Sequence, residues 1–101
     1  MSKKEDGLSQ SKYLIAETDN YKKSLKENEG TKLYKKIKEF IYPQLRNNPF
    51  FGPNIKKLKG EFEGVYRYRI GDYRLFYTID KDNVIVFMLD FVRRKNSYKK
   101  R

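Results

Sequence analysis

The side chains that could do chemistry in this chain are arginine, lysine and tyrosine. It holds 24 Lys and Arg and nine Tyr, and no His or Cys. Four arginines stand out by spacing: Arg67 and Arg69 two apart, Arg74 just past a Gly71-Asp72 pair, and Arg94 after an apolar run. Side chains alternate along a strand, so Arg67 and Arg69 share one face while Tyr66, Tyr68 and Ile70 share the other. Guanidinium forks stay charged and match phosphate geometry. The bland alternative is a set of solvated arginines on a half-exposed sheet, which is the better reading for any one of them alone. Four, with a basic tail beyond them, point to a polyanion site.

Without His or Cys, a Ser–His or Cys–His nucleophile is excluded. No Walker or dinucleotide glycine pattern occurs. Asp72, Asp80 and Asp82 read as turn formers, and Asp90 stands alone, so no convergent carboxylate site for metal ions is visible. Cleavage of RNA remains open to this residue set. The ribose 2′-OH is an internal nucleophile beside its own phosphate. A protein has to align it and stabilise the pentacoordinate phosphorane, which guanidinium groups can do electrostatically. Tyr and Lys ionise near pH 10 unless crowded positive charge lowers them. DNA lacks the 2′-OH and escapes such a mechanism. No cofactor is called for.

These side chains need a scaffold. Residues 65–70, 73–79 and 84–91 are strand-like runs separated by turn chemistry at Gly71-Asp72 and at residues 80–83. They predict an antiparallel meander. The last run is apolar on both faces, which marks a strand covered on both sides. Upstream, residues 12–16 predict a first strand, and Thr18, Asp19 and Asn20 are all good helix N-caps. A helix over residues 20–27 buries Tyr21 and Leu25, and Asn28-Glu29-Gly30 breaks it. A second helix from about Thr31 carries Leu33, Tyr34, Ile37, Phe40, Ile41 and Leu45 on one stripe. Pro43 kinks it or ends it near Tyr42. Residues 47–53 read as a loop, and residues 55–58 lead into the sheet. The expected fold is α+β, with an N-terminal strand and an αα-hairpin packed on the meander and a short basic C-terminal tail.

A chain of 101 residues predicts one domain, with residues 1–11 a polar, aperiodic, disordered lead and residues 12–101 the folded unit. The net charge of +11 is uneven: residues 1–30 sum to zero, residues 31–60 to +7 and residues 61–101 to +4. The last nine residues hold six basic side chains and no acid. Such a field attracts polyanions, nucleic acid first and an acidic protein next. No apolar run is long enough to span a membrane and no export signal is visible, which makes the cytoplasm the expected compartment.

At these residues the chain resembles the RelE/ParE superfamily of bacterial type II toxins. The resemblance runs from about Lys12 to Tyr98. It rests on L-K-G at 58–60, V-Y-R-Y-R-I-G-D-Y-R-L-F-Y-T-I at 65–79, and R-R-K-N-S-Y at 93–98. For the RelE branch it implies a ribosome-dependent mRNA endonuclease cutting A-site codons, with contacts to 16S rRNA. The implied catalytic set is Arg67, Arg69, Arg74, Arg94 and Tyr98. Arg74 would contact the scissile phosphate, Arg94 would stabilise the transition state or leaving group, and Tyr98 would stack on the mRNA base or assist the 2′-OH. Lys57, Lys59, Arg93, Lys95, Lys99 and Lys100 are expected to bind RNA. Val92 and Arg93 stand where the family usually has Gly then His or Lys. The family's basic pair is often lysine, and arginine accepts protons poorly, so Tyr98 or a ribosomal group is the expected base. The resemblance also implies a cognate antitoxin, with the toxin a monomer when free and a hetero-oligomer with that partner.

Two other functions compete. The ParE branch implies a DNA gyrase inhibitor without nuclease chemistry; its members generally lack the full basic and tyrosine set. A plain RNA- or ribosome-binding module predicts that losing an arginine weakens binding and its salt slope without a separate loss of cleavage.

Overall fold

A computed structural model of the protein describes residues 12–27 and 31–93. The expected disordered lead, the helix break at Asn28–Gly30 and the basic tail with Arg94, Lys95, Tyr98, Lys99 and Lys100 lie outside the described residues.

The chain begins with β1 (Leu14–Glu17), α1 (Asp19–Glu27) and α2 (Thr31–Lys36), then a π-helical turn (Ile37–Ile41) and α3 (Tyr42–Asn47). After these come β2 (Ile55–Lys57), a 3-10 turn (Gly60–Phe62), β3 (Val65–Ile70), β4 (Tyr73–Asp80) and β5 (Ile85–Arg93). The strands form one sheet in the order β1-β5-β4-β3-β2. β2 through β5 pair antiparallel with their neighbours, and β1 joins the outer edge of β5 in parallel. The expected α+β architecture is therefore present, with the meander at its centre. Residues 55–57 are a fourth strand of it rather than a lead-in.

Of the two expectations for Pro43, a kink or an end near Tyr42, the end does not form: helix follows from Tyr42 to Asn47. Proline has no amide hydrogen and crowds the carbonyl four residues back. The turn before it widens, and the Tyr42 amide reaches back five residues to the Ile37 carbonyl. That π-helical turn lets the helical path run on to Asn47, with Pro43 in the first turn of α3, where proline is tolerated.

The helices cover one face of the sheet. Tyr21, Ile37, Leu45, Leu75, Tyr77, Val86 and Met88 are fully buried there. Buried tyrosines are stable only if their hydroxyls are paired. The Tyr77 hydroxyl donates to the Pro49 carbonyl at 2.7 Å. Tyr34 and Tyr42 both donate to Glu17 Oε2, at 2.8 and 2.7 Å, and the Tyr42 and Tyr21 hydroxyls meet at 2.8 Å. Burial pushes the phenols of Tyr21, Tyr42 and Tyr77 above their ordinary value. Tyr34 is pushed up to about 12 by desolvation and its bond to Glu17.

Two local features set the register. Gly71 takes φ +59 in the β3–β4 turn, where a Cβ would be strained. In the β4–β5 turn Asp80 accepts from the Asn83 amide at 3.1 Å and side chain at 2.8 Å. Those bonds hold its carboxyl below the usual range. The left-handed residue in that turn is Val84, at φ 58, rather than an Asn or Asp. A β-branched residue there stores about 1–3 kcal/mol of strain.

Candidate nucleic-acid interface

Alternation along β3 and β4 assigns each arginine a face. The cross-strand pairs Tyr66–Tyr77, Tyr68–Leu75 and Ile70–Tyr73 point to the helices. Arg67–Phe76 and Arg69–Arg74 alternate with them and point away, to the face left open by the described elements. Three of the four expected arginines thus share one face, and Arg94 lies outside the described residues. Arg69 is exposed, while Arg67 and Arg74 are half-buried. Arg74 Nε is fully buried and has no hydrogen-bond partner among the described residues. A buried donor of this kind needs an acceptor from elsewhere.

Not every expected RNA-binding residue joins that face. Lys57 pairs with Tyr66 and lines the opposite side of the sheet with Phe50, Phe51 and Lys81. Lys56, which the sequence reading passed over, pairs with Arg67 and extends the arginine face to the sheet edge. Strict alternation counted back from Arg67 through the register would have found it, but β2 was not legible as a strand. Lys59 is exposed just before the 3-10 turn. Arg93 pairs with Tyr73 on the helix side, its guanidinium 5.7 Å from that ring's centre. It is therefore spent on a cation–π contact rather than on the arginine row.

An irregularity in β5 completes the open face. Phe76 pairs with Asp90 and Tyr77 with Met88, so Leu89 is an extra residue. The bulge changes the alternation: Val86 and Met88 are buried two apart, and the next buried residue is Phe91, three further on. Asp90 is moved to the open face as a result. The bulge is fixed from the side, where β1 has ended and α1 begins. Thr18 Oγ1 donates to the Met88 carbonyl at 2.8 Å, and Asn20 Nδ2 donates to the Leu89 carbonyl at 2.9 Å. Thr18 Oγ1 also accepts the Tyr21 amide at 3.2 Å, which makes Thr18 the helix cap among the three candidates. One cross-sheet row therefore runs Lys56, Arg67, Phe76, Asp90, and the next runs Arg69, Arg74, Val92. Neighbouring rows lie about 7 Å apart.

These rows can hold an extended polyanion along the open face. Among the described residues, Tyr66, Tyr68 and Tyr77 are turned into the core, away from that face.

Comparison with known proteins agrees with this arrangement. The chain is 39% identical over 62 residues to Toxin RelE of Mycobacterium tuberculosis, a match over 60% of this chain that spans 61% of that relative's length. It is 42% identical over 67 residues to putative toxin RelE1 of Methanocaldococcus jannaschii, covering 64% of this chain and 72% of the relative. Its fold superposes on a chain of the RelBE2 toxin–antitoxin complex of M. tuberculosis with a TM-score of 0.70 and 26% identity, over 82% of this chain and 92% of that one. A family model described as "ParE toxin of type II toxin-antitoxin system, parDE" matches residues 9–98. The chain belongs to this family of type II toxins, within the RelE/ParE superfamily.

Proposed function

We propose that the protein is an mRNA endoribonuclease of the RelE kind, which cuts A-site codons on the translating ribosome and is held in check by a cognate antitoxin. The observation that carries this reading is the Arg69–Arg74 pair. Two guanidinium groups directly across a strand pair repel, and such pairs cost stability. An anion between them reverses the sign of that term, and a phosphate offers acceptors to both forks.

The chemistry follows from what the row can do. The 2′-OH attacks the adjacent phosphorus, charge accumulates on the non-bridging oxygens, and the 5′-oxygen leaves. Arg74 and Arg69 stabilise that charge, and Arg67 one row away holds the neighbouring phosphate. Arg94 and Tyr98, from the tail, complete the set as leaving-group and base- or hydroxyl-directed partners. The proton acceptor is Tyr98 or a ribosomal group, since arginine stays charged. The basic surface also suits a small acidic antitoxin, and relatives in this fold have been solved as RelE–RelB complexes. Such a partner would cover the same arginines and block the RNA.

Primer extension on mRNA in a translating extract tests the reading. Cuts within A-site codons that require ribosomes, with 2′,3′-cyclic phosphate or 3′-phosphate ends, are the expected result. The family model's ParE description keeps gyrase inhibition as the competing reading. Absent cuts together with inhibited supercoiling by purified gyrase would replace the nuclease with it.

A further inference from the structure

Beside the arginine rows the open face contains a cavity of about 330 Å³ lined by Leu58, Phe62, Val65, Phe76 and Asp90. Its walls are apolar and aromatic, with one carboxylate. Phe62 stands at the rim, 58% exposed, on the 3-10 turn that Gly60 opens with φ +71. Asp90 is there only because the Leu89 bulge moves it to this face. Its orientation is fixed: Oδ1 accepts from Ser24 Oγ at 2.7 Å and from the Phe91 amide at 2.8 Å. With Oδ1 anchored on the α1 side, Oδ2 is the oxygen left for a ligand.

An aspartate is out of place on a face built to hold phosphates, because it repels them. A carboxylate beside an aromatic slot is well suited to a nucleobase with hydrogen-bond donors. We infer that the Phe62–Phe76–Asp90 cavity is a base-reading pocket that selects guanine in the RNA strand held by the arginines. This deepens the nuclease reading and rests on it.

The choice of base follows from donors and acceptors. Guanine presents adjacent N1–H and N2–H donors on one edge, which the two lone pairs of Asp90 Oδ2 can accept together. Adenine and cytosine offer a single exocyclic amine beside a ring acceptor that repels the carboxylate. Uracil offers an N–H flanked by two carbonyls. Stacking on Phe62 and Phe76 is open to every base and adds affinity without selectivity. Placement also fits. The pocket row and the Arg69–Arg74 row are neighbours, so a phosphate on the arginines leaves the adjoining base over Phe76.

The test uses the full chain and fluorescein-labelled RNA hexamers, 2′-O-methylated so that none can be cut, in fluorescence anisotropy at low salt. The hexamers are uridine runs carrying one guanosine, inosine, adenosine or no substitution. The guanosine hexamer is expected to bind about tenfold tighter than the inosine hexamer, which lacks the N2 amine, and than the all-uridine one. Asp90→Asn keeps an oxygen for Ser24 and is expected to bring those ratios close to one. Phe62→Ala, a change at an exposed position, is expected to weaken the guanosine hexamer several-fold. Equal binding of all hexamers, or a guanosine preference that survives Asp90→Asn, overturns the pocket and leaves the nuclease reading standing. No binding of any hexamer also overturns the pocket, while the nuclease reading stands or falls separately by primer extension on ribosomes.

Discussion

Arg69 and Arg74 stand directly opposite each other at the turn end of β3 and β4, both on the face that no described helix covers. Arg74 is half-buried with an unpaired Nε among the described residues, while Arg69 is exposed. Folding gains nothing from this juxtaposition, since like charges directly across a strand pair repel. Replacing Arg69 by Gln is therefore expected to leave the melting temperature unchanged or to raise it by a few degrees, while RNA affinity falls. Thermal unfolding followed by circular dichroism checks the first half and anisotropy the second. A clear loss of stability in Arg69→Gln would show that the pair is structural.

The two faces of β2 give a sharper test of placement. Lys56 pairs with Arg67 on the arginine face, and Lys57 pairs with Tyr66 on the other. Lys56→Ala is expected to lower RNA affinity and to reduce the salt slope by about one unit. Lys57→Ala, one residue away with the same charge change, is expected to do clearly less. Affinities measured at several salt concentrations decide it, and equal effects would mean that only net charge matters.

Tyr77 illustrates how the core positions the site without touching it. Its hydroxyl bonds the Pro49 carbonyl, and its ring stacks on Tyr66 at 5.6 Å between centres. Tyr77→Phe keeps the ring and strands that carbonyl, at a cost of about 1–3 kcal/mol. Urea unfolding should show the loss, and RNA affinity of the folded variant should match the parent protein.

The buried phenols also set a pH limit. In the unfolded chain tyrosines ionise near pH 10. Burial raises Tyr21, Tyr42 and Tyr77 above that value in the fold, and Tyr34 to about 12. Their contribution to stability is complete below pH 10 and is lost as pH rises toward the folded values. The buried phenols together steepen the fall, because the unfolded chain releases protons that the fold retains. Absorbance at 295 nm should show part of the tyrosines ionising only as circular dichroism reports unfolding. A single smooth titration near pH 10 with the fold intact would contradict this network.

The sequence was most legible where local pattern and tertiary structure agree. The alternation of Arg67 and Arg69 with Tyr66 and Tyr68 assigned both faces of β3, and Gly71 marked its turn. Thr18 was visible as a cap, but its choice over Asp19 and Asn20 depends on the Met88 carbonyl, 70 residues away. The Leu89 bulge has no local signature, because residues 84–89 are apolar throughout. Asp90 therefore looked solitary although it shares a row with Arg67. Pro43 suggested a kink or a stop because the chemistry of proline is local, whereas the π-helical turn that accommodates it buries Ile37 and Ile41 in the core. Lys56 and Lys57 were indistinguishable until a three-residue edge strand acquired a register.

The rate at which Arg74→Ala cleaves ribosome-bound mRNA tests the central claim most directly. Measured in single turnover at saturating protein, with folding checked by melting temperature, the rate should fall at least about 100-fold, the usual loss for one transition-state donor. A rate equal to that of the unmodified protein would show that the arginine row does not act on the scissile phosphate.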